Sequence, residues 1–201
     1  MSRKPQTQVL YTIGHSTRTL EEFIALLKAY GIQQIIDVRT IPRSRHNPQF
    51  ADASLATALP RAGIAYIHEP LLGGLRHTQK DSPNTGWKNK SFRGFADYMQ
   101  TEDFSHGLNH LILLAKKHTI AIMCAEAVPW RCHRSLIADA AKKRGLSVTH
   151  IISETSAQAH GYTPFLRMRG GKFLYPAPQL ELFSSAQDIP AKRASRKTAR
   201  S

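Results

Sequence analysis

Short apolar runs rich in Val and Ile alternate along the chain with longer amphipathic segments, and this order constrains the fold more than any other feature. Short β-branched runs are typical of buried strands, and apolar residues spaced three and four apart are typical of helices. The predicted strands are Val9–Ile13, Ile32–Val38, Ile64–Ile67, Thr119–Cys124 and Val148–Ile152. The predicted helices are Thr19–Tyr30, Asp52–Arg61, Phe92–Met99, Phe104–Lys117 and His133–Lys143.

Strands joined through helices favour a parallel sheet, because right-handed crossovers place the helices on both of its faces. We therefore predict an α/β fold, a three-layer α/β/α domain with a mostly parallel sheet of about five strands. This single domain is expected over 9–185, between a short polar extension at 1–8 and a basic, disordered tail at 186–201. Phe173–Tyr175 is a candidate edge strand.

The chain is strongly basic, with 28 Lys and Arg against 14 Asp and Glu and a formal charge of +14. A positive field favours phosphate-bearing partners, whether nucleic acid, nucleotide or sugar phosphate. No apolar run is long enough for a membrane span, and two cysteines are too few for a disulfide framework. We expect a cytoplasmic protein with reduced thiols and no membrane partner.

Polar and titratable side chains follow every predicted strand. Because ligands of open α/β sheets bind beyond the carboxyl ends of the strands, these side chains predict a site there. They are His15 and Ser16, Asp37 and Arg39, His68 and Glu69, Cys124 and Glu126, and Ser153 and Glu154. The long polar segment Leu72–Ser91, which contains Gly73 and Gly74, is predicted to be a functional or mobile loop.

The turn after the first strand reads Gly14-His15-Ser16 and precedes a capped helix. Free backbone N–H groups in such a turn can hold an anion. His15 is either a proton carrier or a hydrogen-bonded turn residue. No dinucleotide-binding or P-loop motif is present.

The second strand ends in Asp37-Val38-Arg39, which puts the acid and the arginine on the same face of the strand. One hypothesis is an ion pair that fixes the next loop. The other is that Asp37 acts as a base or metal ligand, while Arg39 and Arg43 bind phosphate bidentately.

The end of the fourth strand and the start of the next helix carry several reactive or ionisable side chains. Cys132 begins a helix beside His133 and Arg134, where the helix dipole and the arginine would lower a thiol pKa, so Cys132 is a candidate nucleophile. Cys124 is followed by an arginine one residue later than in the C-x5-R loop of tyrosine phosphatases, and the rhodanese pattern is absent. Cys124 is therefore predicted to pack as a small hydrophobe, and Glu126 to orient an arginine or act as a general base.

Four potential metal ligands are present, Asp37, Cys124, Glu126 and His133, but their spacing matches no recognised ligand pattern. No metal is predicted, and the cofactor stays unknown at this stage.

These blocks form an ordered set that resembles the DUF488 family from about Tyr11 to Ile152. The motifs are Thr12-Ile13-Gly14-His15-Ser16, Asp37-Val38-Arg39 with Pro42 and Ser44, Leu72-Gly73-Gly74, and Met123-Cys124-Ala125-Glu126 followed by Cys132-His133-Arg134. The resemblance implies an α/β domain of uncharacterised function, and it supports the fold and the choice of site without naming a reaction.

The favoured hypothesis is an enzyme of unknown reaction on a phosphate-containing substrate, a nucleotide or nucleic acid. The catalytic candidates are Asp37, Glu126, His15 and Cys132. The candidate anion-binding residues are Gly14, Ser16, Arg39, Arg43, Gly73, Gly74, His133 and Arg134. The alternatives are a non-catalytic nucleic-acid-binding module, with Trp87 and Phe92 of the Leu72–Arg93 segment stacking on bases, and a thiol-dependent enzyme using Cys132.

Overall fold

A six-stranded sheet forms the middle layer of the protein. The computed structural model describes residues 8–43 and 45–178, so Ser44 and the predicted tail at 186–201 lie outside the described residues. The strands are β1 (Val9–Gly14), β2 (Gln34–Asp37), β3 (Ala65–His68), β4 (Ile120–Cys124), β5 (Ser147–Ile151) and β6 (Ala157–Ala159). Their order is β3-β2-β4-β1-β5-β6, and all neighbours are parallel except β6, which runs antiparallel to β5.

Five helices cover the two faces of this sheet within the described residues. They are α1 (Leu20–Ala29), α2 (Asp52–Arg61), α3 (Lys90–Tyr98), α4 (Glu102–Ala115) and α5 (Arg134–Lys143). Helices α1 and α2 share one apolar core with Ile35 and Met123. Helices α3, α4 and α5 share the other with Ile36 and Ile122, the neighbours whose side chains point to the opposite face. The predicted three-layer α/β/α fold is confirmed.

Local sequence sets the bounds of the first crossover. The Thr19 hydroxyl accepts a hydrogen bond from the Glu22 N–H, and the Glu22 carboxylate accepts one from the Thr19 N–H at 2.8 Å, so α1 begins with a capping box. Gly31 follows the helix with φ of 61°, a conformation that favours glycine. The capping box and Gly31 therefore mark the two ends of α1.

The last third of the chain differs from the sequence-based expectation. A strand forms where one was predicted at Phe173–Tyr175, but its place at the edge of the main sheet is wrong. This strand, β8 (Lys172–Leu174), pairs with β7 (Arg167–Arg169) in a separate hairpin. Gly170 and Gly171 both have positive φ and form its tight turn. The edge strands of the main sheet are β3 and, beside β5, β6, whose exposed residues carry no apolar pattern.

The predicted loop is confirmed as a segment without helix or strand between residues 73 and 89, and one buried carboxylate organises it. Asp97 of α3 accepts hydrogen bonds from the Gln79 backbone, the Ser82 hydroxyl and the Asn84 amide, at 2.9, 2.6 and 2.7 Å. The segment is therefore tied to α3.

A buried polar network joins the sheet to α5 on the side of β5. The rings of His150 and His160 lie 3.0 Å apart between nitrogens, and His160 Nε2 lies 3.0 Å from Asp139. Asp139 also accepts hydrogen bonds from the Thr163 and Tyr175 hydroxyls.

No helix in the described ranges has the length and apolar character needed to cross a bilayer.

This network predicts a pH-dependent stability. Burial, together with neighbouring His160, lowers the pKa of His150 to about 4 from the ordinary 6.5. Between these values the unfolded chain binds more protons than the folded one, so the free energy of unfolding should fall as the pH is lowered from about 6.5 to about 4. The slope from one such group is at most about 1.4 kcal/mol per pH unit.

Urea unfolding at several pH values measures this slope. The His150→Gln variant should have a shallower slope than the parent, whereas His118→Gln, which changes an exposed histidine, should keep it. An equal slope in the parent and His150→Gln would contradict the assignment.

Candidate functional site

A cleft of about 720 Å³ lies beyond the carboxyl ends of β1, β2 and β4, next to the start of α5. Most of the predicted site residues line it, namely His15, Ser16, Arg39, Arg43, Gly74, Glu126, Cys132 and His133. The others do not line it, namely Gly14, Asp37, Gly73 and Arg134. The cleft therefore occupies the crevice expected for an open parallel sheet.

Asp37 is fully buried beneath the cleft and pairs with Arg39. Its carboxylate accepts hydrogen bonds from Arg39 Nε and Nη2, at 2.9 and 2.5 Å, and from the Tyr66 hydroxyl at 2.9 Å. Burial and the Asp37 charge raise the pKa of Tyr66, so this phenol stays a donor. Arg39 Nη2 also donates to the Phe50 carbonyl. Asp37 thus orients Arg39 by the ion pair of the first hypothesis and does not reach the cleft.

His15 is a neutral hydrogen-bond acceptor. Its Nδ1 lies 2.8 Å from the Ser16 carbonyl oxygen, so Nδ1 carries the proton, and its Nε2 faces Arg39 Nη1 at 3.4 Å. Its ring stacks on Phe50 with centroids 4.2 Å apart. Burial lowers the pKa of His15 to about 4, so no positive charge is available there for an anion.

The turn after β1 is occupied by backbone contacts rather than open to an anion. The N–H groups of His15 and Ser16 donate to the carbonyls of Cys124 and Ala125, each at 2.9 Å. A Cβ on Gly14 would overlap the Glu126 carbonyl, so glycine there permits close approach of two chain segments. The expected anion-holding turn with free N–H groups at these two residues is therefore wrong.

Two thiols and an imidazole meet on the floor of the cleft. The Sγ atoms of Cys124 and Cys132 and a ring nitrogen of His133 all lie within 4.8 Å of one another. The Cys124 thiol donates to Cys132, which lowers the pKa of Cys132 well below its usual value, and Arg134 acts in the same direction against burial. The sequence context predicted that Cys124 only packs as a small hydrophobe. The structure shows that its thiol also contacts Cys132.

Arg134 holds the loop between β4 and α5 from inside. Its side chain is 1% exposed. It donates to Cys132 Sγ at 3.4 Å, to the Thr12 hydroxyl at 3.2 Å and, through Nη2, to the Glu126 carbonyl. With all these partners internal, Arg134 positions the loop and does not present its charge to the cleft.

The rim of the cleft carries two exposed arginines, Arg43 and Arg131. Neither forms an ion pair with a carboxylate among the described residues. The sequence pattern did not single out Arg131 as an anion binder, although it directly precedes the Cys132-His133-Arg134 motif. Among the described lining residues, these are the two exposed guanidinium groups that a ligand entering the cleft would meet.

The exposed aromatic side chain is not one of those predicted to stack on bases. Trp87 packs on Phe92 with ring centroids 4.7 Å apart and lies against the core, so Trp87 is not free to stack on a base. Trp130, beside Arg131, is 63% exposed and was not anticipated.

The loop glycines make close contacts of their own. A Cβ on Gly73 would lie 2.8 Å from the Thr40 hydroxyl, and one on Gly74 would lie 2.5 Å from His133 Nδ1. Both glycines therefore let the loop approach the ends of the sheet, and Gly74 leaves room for the His133 ring.

We predict that Asp37→Asn mainly destabilises the protein. Removing the carboxylate charge leaves the buried Arg39 guanidinium without its partner, which typically costs about 3–5 kcal/mol. Chemical denaturation measures the loss. Asp103→Asn, which changes an exposed carboxylate in the first turn of α4, serves as the control and should cost less than about 1 kcal/mol. A parent-like stability of Asp37→Asn would show that the ion pair is dispensable.

Comparison with known proteins agrees with this architecture without adding a reaction. A family model described as a domain of unknown function, DUF488, matches residues 19–141. The match begins after Gly14–Ser16 and includes Asp37, Arg39, Cys124 and the Cys132-His133-Arg134 motif. No curated protein and no solved structure matches the chain. Because the matched segment spans more than half of its length, the chain belongs to the DUF488 family.

Proposed function

We propose that the protein is a cytoplasmic enzyme that binds a phosphate-bearing substrate, a nucleotide or a nucleic acid, in the cleft. The observation that carries this proposal is the pair of rim arginines, Arg43 and Arg131, which lack carboxylate partners in the described part of the chain. A guanidinium binds two phosphate oxygens at once, so an arginine without an internal partner suits a phosphate-bearing ligand.

The size and charge of the protein fit such a ligand. The cleft volume of about 720 Å³ lies within the range of small-molecule sites, about 300–1,000 Å³, and has room for a nucleotide. A formal charge of +14 attracts polyanions over a distance.

Proton transfer in this proposal falls to Glu126. It is the one carboxylate among the described residues that line the cleft. Its Oε1 accepts a hydrogen bond from the Val128 N–H at 3.1 Å, which limits its rotation. Neutral His15, held between Ser16 and Arg39, has both ring nitrogens engaged and positions Arg39 at the same floor. A positioned carboxylate of this kind serves as a general acid or base.

A non-catalytic nucleic-acid-binding module is the second candidate, and Trp130 favours it. An exposed indole beside Arg131 offers a stacking surface next to a phosphate contact, a combination typical of single-strand binding. The two candidates share the rim arginines and differ in whether Glu126 acts on the ligand.

Binding to the rim arginines is the first test. Arg43→Gln and Arg131→Gln should each weaken binding of inorganic phosphate, a nucleoside triphosphate and a short single-stranded oligonucleotide by about tenfold or more, because each removes a charged hydrogen-bond donor. Calorimetric titration at low salt measures this. Arg61→Gln removes the same charge from an exposed position on α2 and is the matched control. An equal loss in Arg61→Gln would mean that net charge alone attracts these ligands.

Turnover of phosphate-bearing compounds is the second test. Glu126→Gln should lower the turnover found in a screen of nucleotides and oligonucleotides by about 10²–10⁴ while the melting temperature stays near that of the parent. Glu21→Gln, an exposed acid of α1, is the control and should keep full turnover. If the parent turns over none of these compounds and Trp130→Ala abolishes oligonucleotide binding, the module is the correct function.

A further inference from the structure

The two thiols and the imidazole on the cleft floor have the arrangement of a metal site. We propose that Cys124, Cys132 and His133 bind a divalent ion such as zinc, with a fourth coordination position open to the cleft. All three residues line the cleft, and their ligand atoms lie within 4.8 Å of one another. This proposal goes beyond the proposed function and does not depend on which substrate is bound.

The spacing of one pair of ligand atoms fits a tetrahedral ion. Zinc binds thiolate sulfur at about 2.3 Å and imidazole nitrogen at about 2.0 Å, so two such ligands on one tetrahedral ion lie about 3.5 Å apart. Cys132 Sγ and His133 Nδ1 are 3.6 Å apart. Little movement is therefore needed to place an ion between them.

The orientation of His133 points independently to a metal. Its Nε2 lies 3.0 Å from the Val38 carbonyl oxygen, so Nε2 carries the proton and Nδ1 turns its lone pair toward the sulfurs. Metal-binding histidines commonly donate their other N–H to a carbonyl in this way, because the contact fixes the tautomer and the ring. His133 is thus already held in the form that a metal requires.

Gly74 lies against the face of this ring. A Cβ at position 74 would lie 2.5 Å from His133 Nδ1, 2.7 Å from Cγ and 2.8 Å from Cε1. Any other residue would collide with the ring and push it from the position in which Nδ1 faces the thiols. Glycine at position 74 therefore lets His133 keep this orientation.

The chemistry of the ligands selects the kind of ion. Two sulfurs and one nitrogen suit zinc or another borderline-soft metal, whereas magnesium and calcium prefer oxygen. Two thiolates carry the charge that a divalent ion neutralises. The Arg134 Nε–H on Cys132 and the Glu126 backbone N–H on Cys124 are outer donors of the kind that stabilise bound thiolates.

The open fourth coordination position distinguishes this site from a structural metal site. Three protein ligands and one free position are typical of catalytic zinc, whereas structural zinc has four protein ligands. An ion here would hold a water molecule at the cleft floor and make it more acidic.

The test measures metal directly in the full-length protein. Purified from zinc-supplemented cells, it should contain one zinc per chain, and cobalt substitution should give a thiolate-to-cobalt charge-transfer band. Cys124→Ser, Cys132→Ser and His133→Gln should each weaken zinc binding by more than about 100-fold, above the loss expected for an outer-shell change. His118→Gln, at an exposed histidine away from the cleft, is the matched control and should bind zinc as the parent does. Circular dichroism checks that each variant is folded.

Alkylation separates this proposal from a free catalytic thiol. Saturating zinc should slow iodoacetamide modification of both cysteines by at least about tenfold, because a metal-bound thiolate is a weaker nucleophile. Folded parent protein without zinc or a charge-transfer band would overturn the proposal. So would Cys132 alkylation at the same rate with and without zinc. None of these readouts uses a substrate, so their failure is distinguishable from failure of phosphate binding.

Discussion

The backbone ladder between β1 and β4 continues past the ends of both strands, and the cleft depends on this continuation. The N–H groups of His15 and Ser16 donate to Cys124 and Ala125, and Gly14 lets the following Glu126 carbonyl come close. The loop after β4 is thereby held against the end of β1. From there it turns back into α5, which returns Cys132 to the vicinity of Cys124.

Much of the fold follows from the sequence because most of its elements bury an apolar face. Strands β1, β2, β4 and β5 each carry buried apolar side chains, and β3 carries the partly buried Tyr66 and Ile67, so their pattern is readable. Strand β6 has exposed residues and exists through backbone pairing with β5, which leaves no trace in side-chain character. Phe173 and Leu174 are residue types that favour strands. Their pairing with β7 depends on the glycine turn at Gly170 and Gly171, which the apolar pattern does not include.

The position of the cleft could be predicted from the sequence, because the carboxyl ends of parallel strands meet at one edge of a sheet. Which side chains at that edge point into the cleft could not be predicted. Asp37 and Arg134 are both titratable residues near that edge, and both point inward. Their depth is set by partners from distant parts of the chain, Tyr66 for the first and Thr12 for the second. The meeting of Cys124 with Cys132 depends on the path of the short 3-10 turn Pro129–Arg131 between them, which no residue spacing specifies.

The buried chain from Asp139 through His160 and His150 ends at Thr12, and its hydrogen atoms have only one consistent order. Asp139 accepts from the Thr163 N–H as well, while Arg134, which donates to the Thr12 hydroxyl, is a pure donor. Each group between them must therefore donate toward Asp139 and accept from the side of Arg134. The two ends fix both histidine tautomers, so the chain is a directed array of dipoles that links the core behind β5 to the loop around Glu126. Passage of one proton from Thr12 to Asp139 would reverse the direction of every member of this array.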